Sequence, residues 1–121
     1  MKKYIYMLNF LLMFLAFGFS VVKAQEAAEA KGKILFKESK CVSCHAIGTQ
    51  GFVKKGKSSA PDLSSVGNIL KPEFMMKYLM KEEKLNDLKH AISFKGNEEE
   101  LKTLVDWLST LKKEETKKES K

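Results

Sequence analysis

Apolar residues are distributed along this 121-residue chain in three ways. Ile5 to Val22 is a near-continuous apolar run containing Leu8, Phe10 to Phe17 and Phe19, with no polar face. Three later segments instead space their apolar residues as helices do. Glu26 to Lys40 combines good helix formers (Ala27, Ala28, Ala30, Lys31, Lys33) with Ile34, Leu35 and Phe36. Lys71-Pro72-Glu73 opens a second helix, with proline near the first turn and an acid beside it, and its apolar residues run from Phe74 to Met80 and predict an end near Lys84. In the third, Asn97 and Glu100 have capping-box spacing ahead of a stripe of Leu101, Leu104, Val105, Leu108 and Leu111, with Trp107 beside it. Gly48 to Ala60 and Leu85 to Gly96 carry no sustained period and read as loops. No segment alternates as a strand would, so the pattern predicts an all-α fold of about three main helices.

The first apolar run has the marks of a secretory signal peptide. Lys2 and Lys3 form a positive start, and Val22-Lys23-Ala24 places small residues where a signal peptidase reads them. The expected division is a signal segment over 1–24, one domain over 25–113 and a charged, flexible tail over 114–121. The alternative for the first segment is an uncleaved membrane anchor facing the periplasm, although its length is near the lower limit for spanning a bilayer.

Charge narrows the partners. The formal net charge is +7, and it falls to +4 without Lys2, Lys3 and Lys23. Every basic side chain is lysine. The absence of arginine argues against a nucleic-acid reader, because planar guanidinium forks usually carry base contacts. A modest lysine excess suits docking to acidic surfaces of redox protein partners.

Both cysteines of the chain lie in Cys41-Val42-Ser43-Cys44-His45. In an exported protein this C-x-x-C-H run reads as an attachment site for c-type haem, with Cys41 and Cys44 as thioether points and His45 as proximal iron ligand. A disulfide across three positions would close a tiny loop and stabilise little. A redox dithiol would be expected near a βαβ pattern, and none follows. Zinc would have to draw on Cys41, Cys44, His45 and His90, in a spacing unlike the usual fingers. The expected cofactor is one covalent haem c.

From here the chain resembles the small monohaem class I cytochromes c. The resemblance runs from a helix bearing Gly32 and Phe36 into the attachment run, through Ala60-Pro61-Asp62-Leu63 and Val66-Gly67, to the helix carrying Leu104, Trp107 and Leu108. It implies a cytochrome c-like fold around the haem. It also implies that the Pro61 carbonyl accepts a hydrogen bond from His45, that Leu63 packs on the haem, and that Gly32 and Phe36 pack near Trp107, which is counted among the cofactor-binding residues.

One departure stands out. The family places a methionine in the loop before the last helix, whereas here that loop reads Leu88-Lys89-His90-Ala91-Ile92-Ser93-Phe94. His90 is thus the expected distal ligand, with Met80 as its main rival and Lys89 or an open position as the others. A bis-histidine haem would be a lower-potential electron carrier than a methionine-ligated one. The expectation is a periplasmic electron-transfer protein that is not itself an enzyme. Its rivals are a haem-based binder or sensor of nitric oxide or carbon monoxide, and a cytochrome subunit of a larger oxidoreductase.

Overall fold

The computed structural model describes residues 1–113, and the side chains of all of these except 11 and 13–21. The charged tail expected at 114–121 lies outside the described residues. Four α-helices follow in order: α1 (Lys2–Glu38), α2 (Val66–Ile69), α3 (Pro72–Leu79) and α4 (Glu98–Thr110). Short 3-10 turns occupy Cys41–Ser43 and Gly48–Gln50. Among the described residues, β pairing is confined to the isolated bridges Ile47↔Phe52 and Leu85↔Leu88. The fold is all-α, as the hydrophobic pattern predicts.

The chain divides into two compact units, Met1–Ala30 and the part from Lys31 onward. In the first unit Tyr4, Ile5, Leu8, Phe10, Leu12 and Val22 are all exposed. Among the described residues, no helix is long and apolar enough to cross a membrane. In the second unit the buried apolar side chains begin at Phe36 and continue through Val42, Ile47, Val66 and Met75 to the stripe of α4.

Two helix ends differ from the pattern-based expectation. α1 does not begin at Glu26; its helical backbone is continuous from Lys2, because nothing between the apolar run and Glu26 breaks it. Its end is set by Lys40, whose left-handed φ of 59° closes the last turn in the position glycine usually fills. α3 stops at Leu79 rather than near Lys84. Lys81 is left-handed, with φ of 64°, and the Glu82 and Glu83 amides both turn back to the Lys77 carbonyl, so the helical ladder cannot continue.

α4 begins as the sequence implies. The Asn97 side chain accepts from the Glu100 amide at 2.9 Å, and the Glu100 carboxylate accepts from the Asn97 amide at 2.9 Å. This reciprocal cap satisfies two amides that a helix start would otherwise leave unpaired. Leu101, Leu104, Val105, Trp107 and Leu108 are buried along one side of the helix, which packs against α2 and α3.

The end of α1 comes close to α4 at Gly32. A Cβ at Gly32 would stand 2.3 Å from Trp107 Cβ and 2.5 Å from its Cγ. Phe36, one turn on, meets the Trp107 ring at 5.8 Å between centroids, and Phe52 closes the group at 5.3 Å from Phe36 and 6.2 Å from Trp107. Glycine at position 32 is therefore a packing requirement that outweighs its poor helix propensity. Gly32→Ala is expected to destabilise the protein by about 1–3 kcal/mol through overpacking, although alanine is intrinsically favoured in a helix by ~1 kcal/mol. Denaturant unfolding of the two proteins measures the difference.

Candidate haem site

The last turn of α1 delivers the chain into the attachment run. Val42 turns inward and is buried, while Cys41 and Cys44 are half-buried and carry free thiols. Burial pushes the Cys41 thiol up from its ordinary 9.0 to about 11; its backbone hydrogen bond opposes the shift and Cys44 adds to it. Burial thus favours the neutral thiol over the thiolate. A thioether sulfur is uncharged, so the same environment suits it. Among the described residues, no group of three or more His, Cys, Asp or Glu side chains is placed to hold a metal ion.

His45 follows Cys44 and is half-buried. Its Nδ1 lies 2.8 Å from the Pro61 carbonyl oxygen. The oxygen can only accept, so Nδ1 donates and Nε2 keeps its lone pair for a metal. Burial is the main cause holding the imidazole below its ordinary 6.5; the His90 and Lys54 charges act in the same direction, and the bond to Pro61 opposes them. A neutral ring is the form that binds iron.

The segment of chain that presents Pro61 is stitched in place by the Asp62 and Ser64 side chains, to which the sequence pattern assigns no role, and by the Leu63 amide. The Asp62 carboxylate accepts from the Ser64 amide at 2.7 Å through Oδ1 and from the Gly48 amide at 3.2 Å through Oδ2. Ser64 Oγ accepts from the Thr49 amide at 3.2 Å, and the Leu63 amide donates to the Ala46 carbonyl at 2.9 Å. Residues 46–49 are thereby tied to 62–64 just beyond the histidine. The Asp-x-Ser spacing is a turn signal that could have been read from the sequence. Leu63 is half-buried and packs against the core.

A second loop lies across the attachment run. The Lys55 amide donates to the Val42 carbonyl at 2.9 Å and the Gly56 amide to the Ser43 carbonyl at 3.1 Å. A Cβ at Gly56 would come within 2.5 Å of that Ser43 oxygen, so only glycine allows the approach. Lys54 folds back, its Nζ donating to the Ser58 carbonyl, while Lys55 and Lys57 are exposed.

The structure brings His90 to His45. Their ring centroids are 6.1 Å apart and their planes differ by 11°. Two imidazoles sharing one metal ion need about 2 Å for each metal–nitrogen bond and roughly 1 Å more from each nitrogen to its ring centre, or about 6 Å in all. His90 Nδ1 lies 2.5 Å from the Ile92 carbonyl oxygen, so it too donates and leaves Nε2 free. Two free thiols and two imidazoles with available Nε2 atoms form a donor set that fits haem c.

The other named residues stand elsewhere. Met80 caps the end of α3, is 41% exposed, and lines a surface groove with Met76, Lys77, Glu82, Asn97 and Leu101. Lys89 is exposed in the loop before α4. Trp107 lies in the α1–α4 contact, with its Nε1 buried and without a hydrogen-bond partner.

Asp62 supplies a test of the scaffold. Its carboxyl is held below its ordinary 3.8, chiefly by the Ser64 side chain and then by the Ser64 amide, with the Gly48 amide adding to the effect. The folded-state value is depressed, so the stabilisation is fully present above 3.8 and is lost as pH falls through the folded value. Asp62→Asn is expected to cost about 1 kcal/mol at neutral pH, a reduced figure because the group is exposed. The difference from wild type should shrink below pH 3.8, as denaturant unfolding across the acid range would show.

Comparison with known proteins bears on the family of the chain. No curated protein and no solved structure matches the chain. The family described as Cytochrome c matches residues 29–112, from the last turns of α1 to just past α4. That family carries covalently bound haem c and transfers electrons, and Cys41-Val42-Ser43-Cys44-His45 is the matching attachment motif. With well over half of its length matched, the chain belongs to the cytochrome c family.

Proposed function

We propose that this chain is an exported, bis-histidine cytochrome c that passes single electrons between protein partners as a carrier in its own right. The observation that carries the reading is the pair of imidazoles, 6.1 Å apart and 11° from parallel, each with Nδ1 on a backbone carbonyl. Haem c, when bound, supplies a one-electron couple between ferric and ferrous iron.

The chain's own groups supply the rest. Cys41 and Cys44 fix the position of the group through thioethers. His45, oriented by Pro61, would be the proximal ligand, and His90, oriented by Ile92, would be the distal one. With His45 and His90 both holding the haem, the chemistry would be electron transfer without a substrate binding the metal. A second imidazole is a stronger donor than a thioether, so it favours the ferric state and lowers the potential relative to methionine ligation. Val42 and Ile47 are buried beside the attachment run and keep water from that side.

Exposed Lys55 and Lys57, on the loop bonded to the attachment run, offer a cationic edge to acidic partners. Lys2 and Lys3, the apolar run and Val22-Lys23-Ala24 support export to the periplasm.

The ligand assignment has a direct test. The oxidised protein is expected to lack the near-infrared charge-transfer band of methionine–sulfur ligation, and the reduced protein should take up carbon monoxide slowly or not at all. His90→Met should raise the potential. His90→Ala should leave a reduced site that binds carbon monoxide readily. Rapid uptake by the wild-type protein would instead point to a small-ligand binder, and co-purification with a stoichiometric partner to a subunit of a larger complex.

A further inference from the structure

The loop that presents His90 has few holds on the rest of the protein. Its turn at Leu85–Leu88 is local, and Lys81, Asn86 and Asp87 all have positive φ. The hydrogen bond to Ile92 ties His90 to its own loop, only two residues away. The Phe94 amide donates to the Leu79 carbonyl at 3.0 Å, bringing the end of the loop to the end of α3.

Besides His45, the ring of Tyr78, beside Leu79, reaches His90 from outside its loop. The Tyr78 ring meets the His90 ring at 5.3 Å between centroids and 76° between planes. Tyr78 is itself backed by Phe74, one turn earlier on α3, at 5.8 Å and 15°. α3 is seated by buried Met75 and packs against α4. A chain of two aromatic rings therefore runs from an anchored helix to the histidine.

We propose that Tyr78 is a positioning residue that sets the plane of the His90 ring parallel to that of His45. The proposal rests on the assignment of His90 as distal ligand. The hydrogen bond to Ile92 selects the nitrogen that is free, and a flat ring nearly perpendicular to the imidazole opposes its rotation about the axis of that nitrogen. The contact is made by the ring, so the hydroxyl is dispensable.

Plane alignment has a chemical effect of its own. Two parallel imidazoles donate π density to the same iron d orbital, which separates the orbital energies and favours ferric iron. Crossed planes act on two orbitals and leave them nearly equal in energy. Ligand orientation is thus a means of tuning potential beyond ligand identity.

Electron paramagnetic resonance of the ferric holoprotein reads this alignment directly. Wild type and Tyr78→Phe should both give the three resolved features of a rhombic low-spin site with near-parallel imidazoles. Tyr78→Ala, and Tyr78→Leu, which fills the space without a flat face, should shift toward the single, highly anisotropic feature of crossed planes and rise in potential. A crossed-plane spectrum in wild type, or variants indistinguishable from Tyr78→Phe, would overturn the proposal while leaving bis-histidine ligation intact. A methionine–sulfur band in the wild-type near-infrared spectrum would overturn the ligand assignment itself, so the two failures are separable.

Discussion

A carbonyl oxygen accepts hydrogen bonds and cannot donate them, and that asymmetry decides the state of both histidines. At His45 the oxygen is that of Pro61; at His90 it is that of Ile92. Each bond places the proton on Nδ1 and frees Nε2. The two bonds differ in what stands behind them. Pro61 belongs to a segment tied by Asp62, Leu63 and Ser64 to residues 46–49, whereas Ile92 belongs to the same loop as the histidine it orients. His45 is thus mounted on a cross-linked segment, whereas His90 is held within its own loop with the Tyr78 ring of α3 against it.

The packing serves the same division. α4 supplies a buried apolar stripe, and the end of α1, α2 and α3 use it in turn. Gly32 lets Trp107 into contact with α1. Gly67 does the same for the end of α4, where a Cβ would stand 2.2 Å from the Ser109 carbonyl oxygen and the Gly67 amide donates to the Leu111 carbonyl at 2.9 Å. α3 carries Met75 into the core and Tyr78 toward His90, so one short helix both closes the protein and addresses the site.

Much of this was legible in the sequence, for definite physical reasons. The attachment motif is contiguous, so five residues disclose it without any knowledge of tertiary structure. The α4 cap and stripe follow from local spacing, and Gly32 is conspicuous as a glycine within a helical segment. What was not legible depends on contacts between distant segments. The Asp62 stitching joins residues more than a dozen positions apart, and nothing in the pattern of α3 separates Tyr78 from the apolar residues around it. The early end of α3 was missed because left-handed Lys81 carries no glycine or proline to announce it. Lys40 does the same at the end of α1.

The Gly32–Trp107 contact also has a topological meaning. These residues lie near opposite ends of the compact unit, so their meeting closes nearly the whole unit into one loop. The entropic cost of such a closure grows only with the logarithm of loop length. Every segment that touches the haem site is enclosed between the two ends. A chain cut once in the exposed stretch between α3 and α4 would fall into two pieces, each holding one side of that closure. The first would keep both cysteines and His45, and the second would keep α4 with Trp107. The Gly32–Trp107 contact is then the seam between the two pieces.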